Sequence, residues 1–114
     1  MSSYPELKEF IEEQQTYDSL FEKDKYTILY FTASWCGPCK QIYPQLKELN
    51  EKLPYIEIYK VDIDKNESIV EQQEIRSVPT FEIYVNKEKQ GECTGSDIKA
   101  VAQLIKTCKE SFKD

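Results

Sequence analysis

The sequence predicts an α/β domain built on a central mixed β-sheet flanked by helices on both faces. Three observations point there. Tyr26 to Ala33 (YTILYFTA) is a continuous apolar, β-rich run, the pattern of a strand buried on both faces. Ile42, Leu46, Leu49 and Leu53 then mark an amphipathic helix, and Tyr55 to Ile63 (YIEIYKVDI) is a second strong strand, which completes a βαβ unit. Phe81 to Val85, the polar stretch Asn86 to Gln90 and a strand near Glu92 to Thr94 read as a hairpin, which makes the sheet mixed. At 114 residues the chain has room for one domain, spanning residues 1–114.

Taken in order, residues 5–24 are ambiguous. Leu7, Phe10 and Ile11 fall at helical spacing, yet Leu7 to Glu12 reads equally as a short strand. Thr16 to Asp24 reads as a helix with Tyr17, Leu20 and Phe21 on one side. In the helix after the first long strand, Pro44 lies inside and should kink it, and Pro54 stops it. Asn66 can cap a short helix running to about Glu74, with Ile69 and Val70 inward. Ser77-Val78-Pro79-Thr80 is a turn before the third long strand. Ser96 and Asp97 start the last helix, whose stripe is Ile98, Val101, Ile105, Cys108 and Phe112. The resulting order is β-α-β-α-β-β-α.

Composition excludes several classes of function. A 39% hydrophobic fraction is too high for a disordered chain. The net charge of -6 argues against nucleic acid and anionic membranes as partners. There is no histidine, which removes Ser-His and Cys-His catalysis and every His-bearing metal site. No apolar run approaches the roughly 18 residues of a membrane span. Met1 to Phe10 has no signal pattern, so the expected location is cytoplasmic. Four cysteines in such a chain are expected to be reactive or incidental rather than a disulfide framework.

The strongest motif is Cys36-Gly37-Pro38-Cys39, set where a strand hands over to a helix. A cysteine at a helix N-terminus meets unsatisfied backbone N–H groups and the positive end of the dipole, so its thiolate is stabilised. Cys39 lies within the first turn and can close a small ring with Cys36 when a substrate disulfide is attacked. Pro38 suits that first turn because its missing N–H would be unpaired anyway. Trp35 offers a flat apolar surface beside the pair. The alternative for the two cysteines is half a zinc knuckle. That needs two more ligands, and only Cys93 and Cys108 remain, without metal-site spacing.

These residues, with Lys60-Val61-Asp62-Ile63-Asp64 and Ser77-Val78-Pro79-Thr80-Phe81 at fitting distances, closely resemble the thioredoxin family over about residues 7–112. The resemblance implies the thioredoxin fold and a thiol–disulfide oxidoreductase, a protein-disulfide reductase. It needs neither cofactor nor metal, and it contributes to electron transport and cell redox homeostasis. It implies Cys36 as nucleophile and Cys39 as resolving thiol. It also implies a cis Val78–Pro79 bond facing the pair, and a docking rim of Trp35, Gly37, Pro38, Val78, Pro79 and Gly95. Lys60 matches a lysine that approaches the dithiol; as a residue alone it reads equally as a solvated strand lysine. The implied partners are protein disulfides and an NADPH-dependent thioredoxin reductase, with the chain itself a monomer.

The chain departs from the family at Tyr30, where thioredoxins usually carry a buried aspartate that helps deprotonate the resolving cysteine. A phenol, with a pKa of about 10, is no base at neutral pH. That departure gives weight to a second reading, a thioredoxin-fold binding module with slow or secondary redox activity. Asn86-Lys87 also departs, standing where the family's turn usually has a glycine. Cys108, on the apolar stripe, is expected to be inert core, and Cys93, two residues before Gly95, is either incidental or a regulatory thiol.

Overall fold

The computed structural model describes residues 4–21 and 25–111. Strand β1 (Lys8–Glu9) is followed by a 3-10 helix (Tyr17–Leu20), β2 (Tyr26–Thr32), α1 (Gly37–Lys52), β3 (Ile56–Asp62), α2 (Glu67–Gln72), β4 (Thr80–Val85), β5 (Glu88–Thr94) and α3 (Ile98–Ser111). The five strands lie in the order β1-β3-β2-β4-β5. β1 and β2 run parallel to β3, whereas β4 is antiparallel to β2 and β5. The expected mixed sheet is therefore present.

Period-two alternation divides each central strand between two cores. Ile28 and Tyr30 of β2, Ile58 of β3, and Phe81 and Ile83 of β4 pack under Cys39, Ile42 and Leu46 of α1 and Val101, Ile105 and Cys108 of α3. Leu29, Phe31, Tyr59, Val61 and Tyr84 face the other way, against Phe10, Leu20 and Ile69 of α2. Helices thus cover both faces, and β2, the middle strand filled from both sides, is the one with a continuous apolar run.

Several local expectations are corrected. The helix expected over Thr16 to Asp24 is a single 3-10 turn at Tyr17–Leu20. Glu22 to Asp24, like Phe112 of the last helix, lie outside the described residues. The ambiguous Leu7–Glu12 segment is a two-residue strand, and Phe10 N–H donates to Lys60 O at 2.9 Å just beyond it. The polar hairpin connection shrinks to Asn86 and Lys87, both left-handed at φ 51° and 74°, so β5 begins at Glu88. Two positive-φ residues are what a two-residue hairpin turn requires. As expected, Pro44 lies inside α1, where its missing N–H removes one i→i−4 bond.

Asn66 precedes α2 as expected, but its side chain does not cap that helix. It is fully buried and ties three segments together. Its Oδ1 accepts from Glu12 N–H at 2.8 Å, and its Nδ2 donates to Phe10 O at 3.1 Å and Asp62 O at 2.9 Å. The cap role at α2 passes to Glu12, whose carboxylate accepts from Ser68 and Ile69 N–H at 3.3 and 3.2 Å. Asn66→Ala removes the side-chain partner of Glu12 N–H and Phe10 O, whereas Asp62 O keeps Lys65 N–H at 3.1 Å, and it is expected to cost about 2–4 kcal/mol. A urea titration checks this, with the midpoint falling and the slope unchanged.

Candidate active site

The junction of β2 and α1 builds the reactive pair. Cys36 is the N-cap residue of α1, with extended backbone at φ -89° and ψ 108°, and its Sγ accepts from Cys39 N–H at 3.2 Å. Sulfur thus occupies the place of a capping oxygen, among the helix's unsatisfied donors. Cys36 and Cys39 are joined in a disulfide, with Cα atoms 5.3 Å apart. Both are buried, Cys39 the more deeply at 1% exposure.

Around them stand the expected rim residues. Trp35 is 65% exposed, which rules out a core role, and its indole N–H donates to Asp64 at 3.1 Å. The Val78–Pro79 peptide is cis, and Val78 O lies 3.8 Å from Cys36 Sγ. Gly95 N–H donates to Pro79 O at 2.9 Å, and its φ of 97° is one that a side chain would strain. At Gly37 an added Cβ would meet nothing within 4 Å, so packing inside this chain does not demand glycine there. Trp35, Ile63, Ile75, Arg76 and Val78 line a groove of about 330 Å³ on this side of the disulfide.

Behind the disulfide lies a second cavity, of about 450 Å³, reached by Cys39 and lined by Tyr30, Lys40, Tyr43, Lys60 and Asp62. Tyr30 is buried, stacks on Phe81 with ring centroids 5.1 Å apart, and its hydroxyl donates to Cys39 O at 2.9 Å. Burial pushes its phenol pKa up, so it stays protonated across the neutral range. Lys60 pairs with Tyr30 across β2 and β3, and its ammonium lies 5.5 Å from the Tyr43 ring centroid. The Tyr43 hydroxyl accepts from Leu7 N–H at 3.2 Å and donates to Glu6 at 3.0 Å. Lys47, 2.7 Å from Glu6, holds the Glu6 carboxyl below its usual range, helped by Tyr43.

Sequence reasoning missed two of these neighbours. Tyr43 lies one turn after Cys39 on α1, and Asp62 lies two residues after Lys60 on β3, so helical and strand periods respectively carried the signal. Cys93 and Cys108 are both free, Cys108 buried and Cys93 half-buried. Burial pushes both thiols up, Cys93 also through Asp97 and Glu92, so neither matches a thiol activated by a helix N-terminus.

A buried dithiol at a helix N-terminus, opposed by a cis-proline loop and an exposed tryptophan, can exchange its disulfide with that of an approaching chain. The thioredoxin family model matches residues 8–110. Thioredoxin-1 of Saccharomyces cerevisiae is 32% identical over 89 residues, covering 78% of this chain and 86% of its own. Thioredoxin 1 of Plasmodium falciparum is 33% identical over 99 residues, covering 87% and 95%. The crystal structure of thioredoxin from Trypanosoma brucei brucei superposes with a TM-score of 0.83 at 28% identity, covering 96% of this chain and 97% of that one. With its fold and its Cys36–Cys39 disulfide, this chain belongs to the thioredoxin family and is a thiol–disulfide oxidoreductase.

Proposed function

We propose that residues 1–114 form a single domain that works as a dithiol reductant of protein disulfides. Cys36 is the attacking thiol and Cys39 the resolving one. The Cys36 thiolate attacks one sulfur of a substrate disulfide, forms a mixed disulfide and releases the other substrate sulfur as a thiolate, which takes up a proton. The Cys39 thiolate then attacks Cys36 Sγ, closing the Cys36–Cys39 bond and releasing the second substrate sulfur. Two electrons pass to the substrate, and an NADPH-dependent thioredoxin reductase returns them to the pair. The observation that carries this reading is the Cys36–Cys39 disulfide at the start of α1 with the cis Val78–Pro79 loop against it. Trp35, Gly37, Pro38, Val78, Pro79 and Gly95 form the docking rim, where open space at Gly37 admits a partner's backbone. Lys60 and Tyr30 modulate the pair from behind. The chain acts as a monomer in the cytoplasm, serving electron transport and cell redox homeostasis. Among the described residues no helix is long and apolar enough to cross a membrane.

The test is insulin reduction driven by NADPH and thioredoxin reductase. Turnover dependent on all three components is expected. Retention of disulfide partners without insulin turnover would instead support a thioredoxin-fold binding module, the reading that Tyr30 favours.

A further inference from the structure

We propose that Asp62 receives, through water in the cavity behind the disulfide, the proton that Cys39 must lose before it resolves the mixed disulfide. The inference rests on Cys39 being the resolving thiol. Only a thiolate attacks a disulfide, and a thiol of ordinary pKa is a few per cent ionised at pH 7. Cys39 is 1% exposed, so bulk solvent has little direct access to its sulfur. A proton acceptor within reach is therefore worth a large factor in rate.

The cavity offers one. Among the described residues Asp62 is the only carboxylate lining it. The other polar groups facing Asp62 do not serve as acceptors. Lys60 on β3 and Lys40 on α1 are ammonium donors, and Tyr43 already donates to Glu6. The Tyr30 hydroxyl donates to Cys39 O, and in the turn beyond β3 the Asp64 carboxylate accepts from Trp35 outside the cavity. Strand register puts Asp62 opposite Thr32 and Lys60 opposite Tyr30, so Asp62 and Lys60 share the sheet face that α1 covers. Asp62 is itself 8% exposed. One of its oxygens, Oδ1, is fixed by Asp64 N–H at 2.9 Å. Among the described residues nothing donates to its other oxygen, and that oxygen is not sealed from solvent. At about 450 Å³ the cavity, which Asp62 and Cys39 both line, has room for several waters.

The step balances. The Cys39 Sγ–H proton passes to water and from water to the Asp62 carboxylate. The Cys39 thiolate attacks Cys36 Sγ, and the bond between Cys36 and the substrate sulfur breaks as the Cys36–Cys39 bond forms. The substrate sulfur leaves as a thiolate and is protonated by solvent, and Asp62 returns its proton to solvent. Lys60, in the same cavity, stabilises the transient Cys39 thiolate.

Asp62→Asn keeps the shape and the Oδ1 acceptor while removing the base. The experiment is stopped-flow decay of the mixed disulfide with a labelled peptide disulfide, from pH 6 to 10. The variant is expected to resolve about tenfold more slowly at pH 7, with the gap closing above pH 9 as hydroxide ionises Cys39 directly. Asp62→Glu should stay within a few-fold of wild type. In the Cys39→Ser background, Asp62→Asn should leave the rate of mixed-disulfide formation unchanged. An unchanged rate at pH 7, a pH-independent deficit, or a deficit shared by Asp62→Glu would overturn the assignment to Asp62. Full turnover by Cys39→Ser alone would overturn the resolving role itself.

Discussion

Cys36→Ser abolishes disulfide reduction, and Cys39→Ser stops after one half-reaction with substrate bound. The two outcomes differ because the two sulfurs stand in different surroundings. Cys36 caps α1, where free backbone N–H groups and the helix dipole favour its thiolate, and it faces the Val78–Pro79 loop. Cys39 is sealed below it and can act only on a bond already made to Cys36. A serine hydroxyl at position 36 is neither ionised at neutral pH nor able to form a stable bond to the substrate sulfur. Insulin reduction should fall at least a thousandfold. With Cys39→Ser, mass spectrometry should find the substrate covalently attached at Cys36 in near-stoichiometric amount. Normal turnover by Cys36→Ser, or attachment mapped to Cys93, would contradict the assignment.

The second large effect belongs to Tyr30. It is among the largest fully buried side chains of the described residues, it stacks on Phe81, and its hydroxyl satisfies the second lone pair of the Cys39 carbonyl. Tyr30→Phe removes only the hydroxyl and should cost about 1 kcal/mol. Tyr30→Asp also loses the ring, which on large-to-small substitutions costs about 3–5 kcal/mol, and it buries a carboxylate besides. Burial raises the pKa of such a carboxyl above its unfolded value, so the variant should be less unstable at pH 5 than at pH 8. A carboxylate directly beneath Cys39 should in return speed resolution at pH 7 beyond the rate supported by Asp62 across the cavity. The native phenols have their own signature. Burial raises the pKa of Tyr30, Tyr84 and Tyr17 above the unfolded value of about 10. Their contribution to stability is therefore complete below pH 10 and is lost as pH climbs through the higher folded values. Urea midpoints between pH 5 and pH 12 test both statements. A Tyr30→Asp protein as stable as wild type at pH 8 would show that the position is not the packed site described.

What could be read from the sequence follows from the range of the interactions involved. β2, α1, β3 and α3 announce themselves because each buries a repeating face longer than one turn or two pleats. Cys36 and Cys39 were legible because their chemistry is local, set by a strand end and a helix start within four residues. β1 was not, since a two-residue strand carries no period and exists only through its pairing with β3. Asn66 looks like a cap in the sequence because two of its three partners, Glu12 N–H and Phe10 O, lie 54 and 56 residues away, beyond any local rule. Glu82 breaks the apolar pattern of β4 yet is fully buried. Lys89 on the neighbouring strand neutralises it at 3.1 Å, and Tyr84 O–H donates to it at 2.8 Å. Asp62 escaped notice for a similar reason: the cavity that gives it meaning needs α1 laid across β2 and β3.

A redox titration followed by peptide mapping tests the central claim most directly. The protein is equilibrated with dithiothreitol buffers of graded potential, alkylated and digested. The account predicts one two-electron transition in which Cys36 and Cys39 are lost and regained together, while Cys93 and Cys108 stay free thiols throughout. A transition that engages Cys93 or Cys108, or one in which Cys36 oxidises without Cys39, would contradict it.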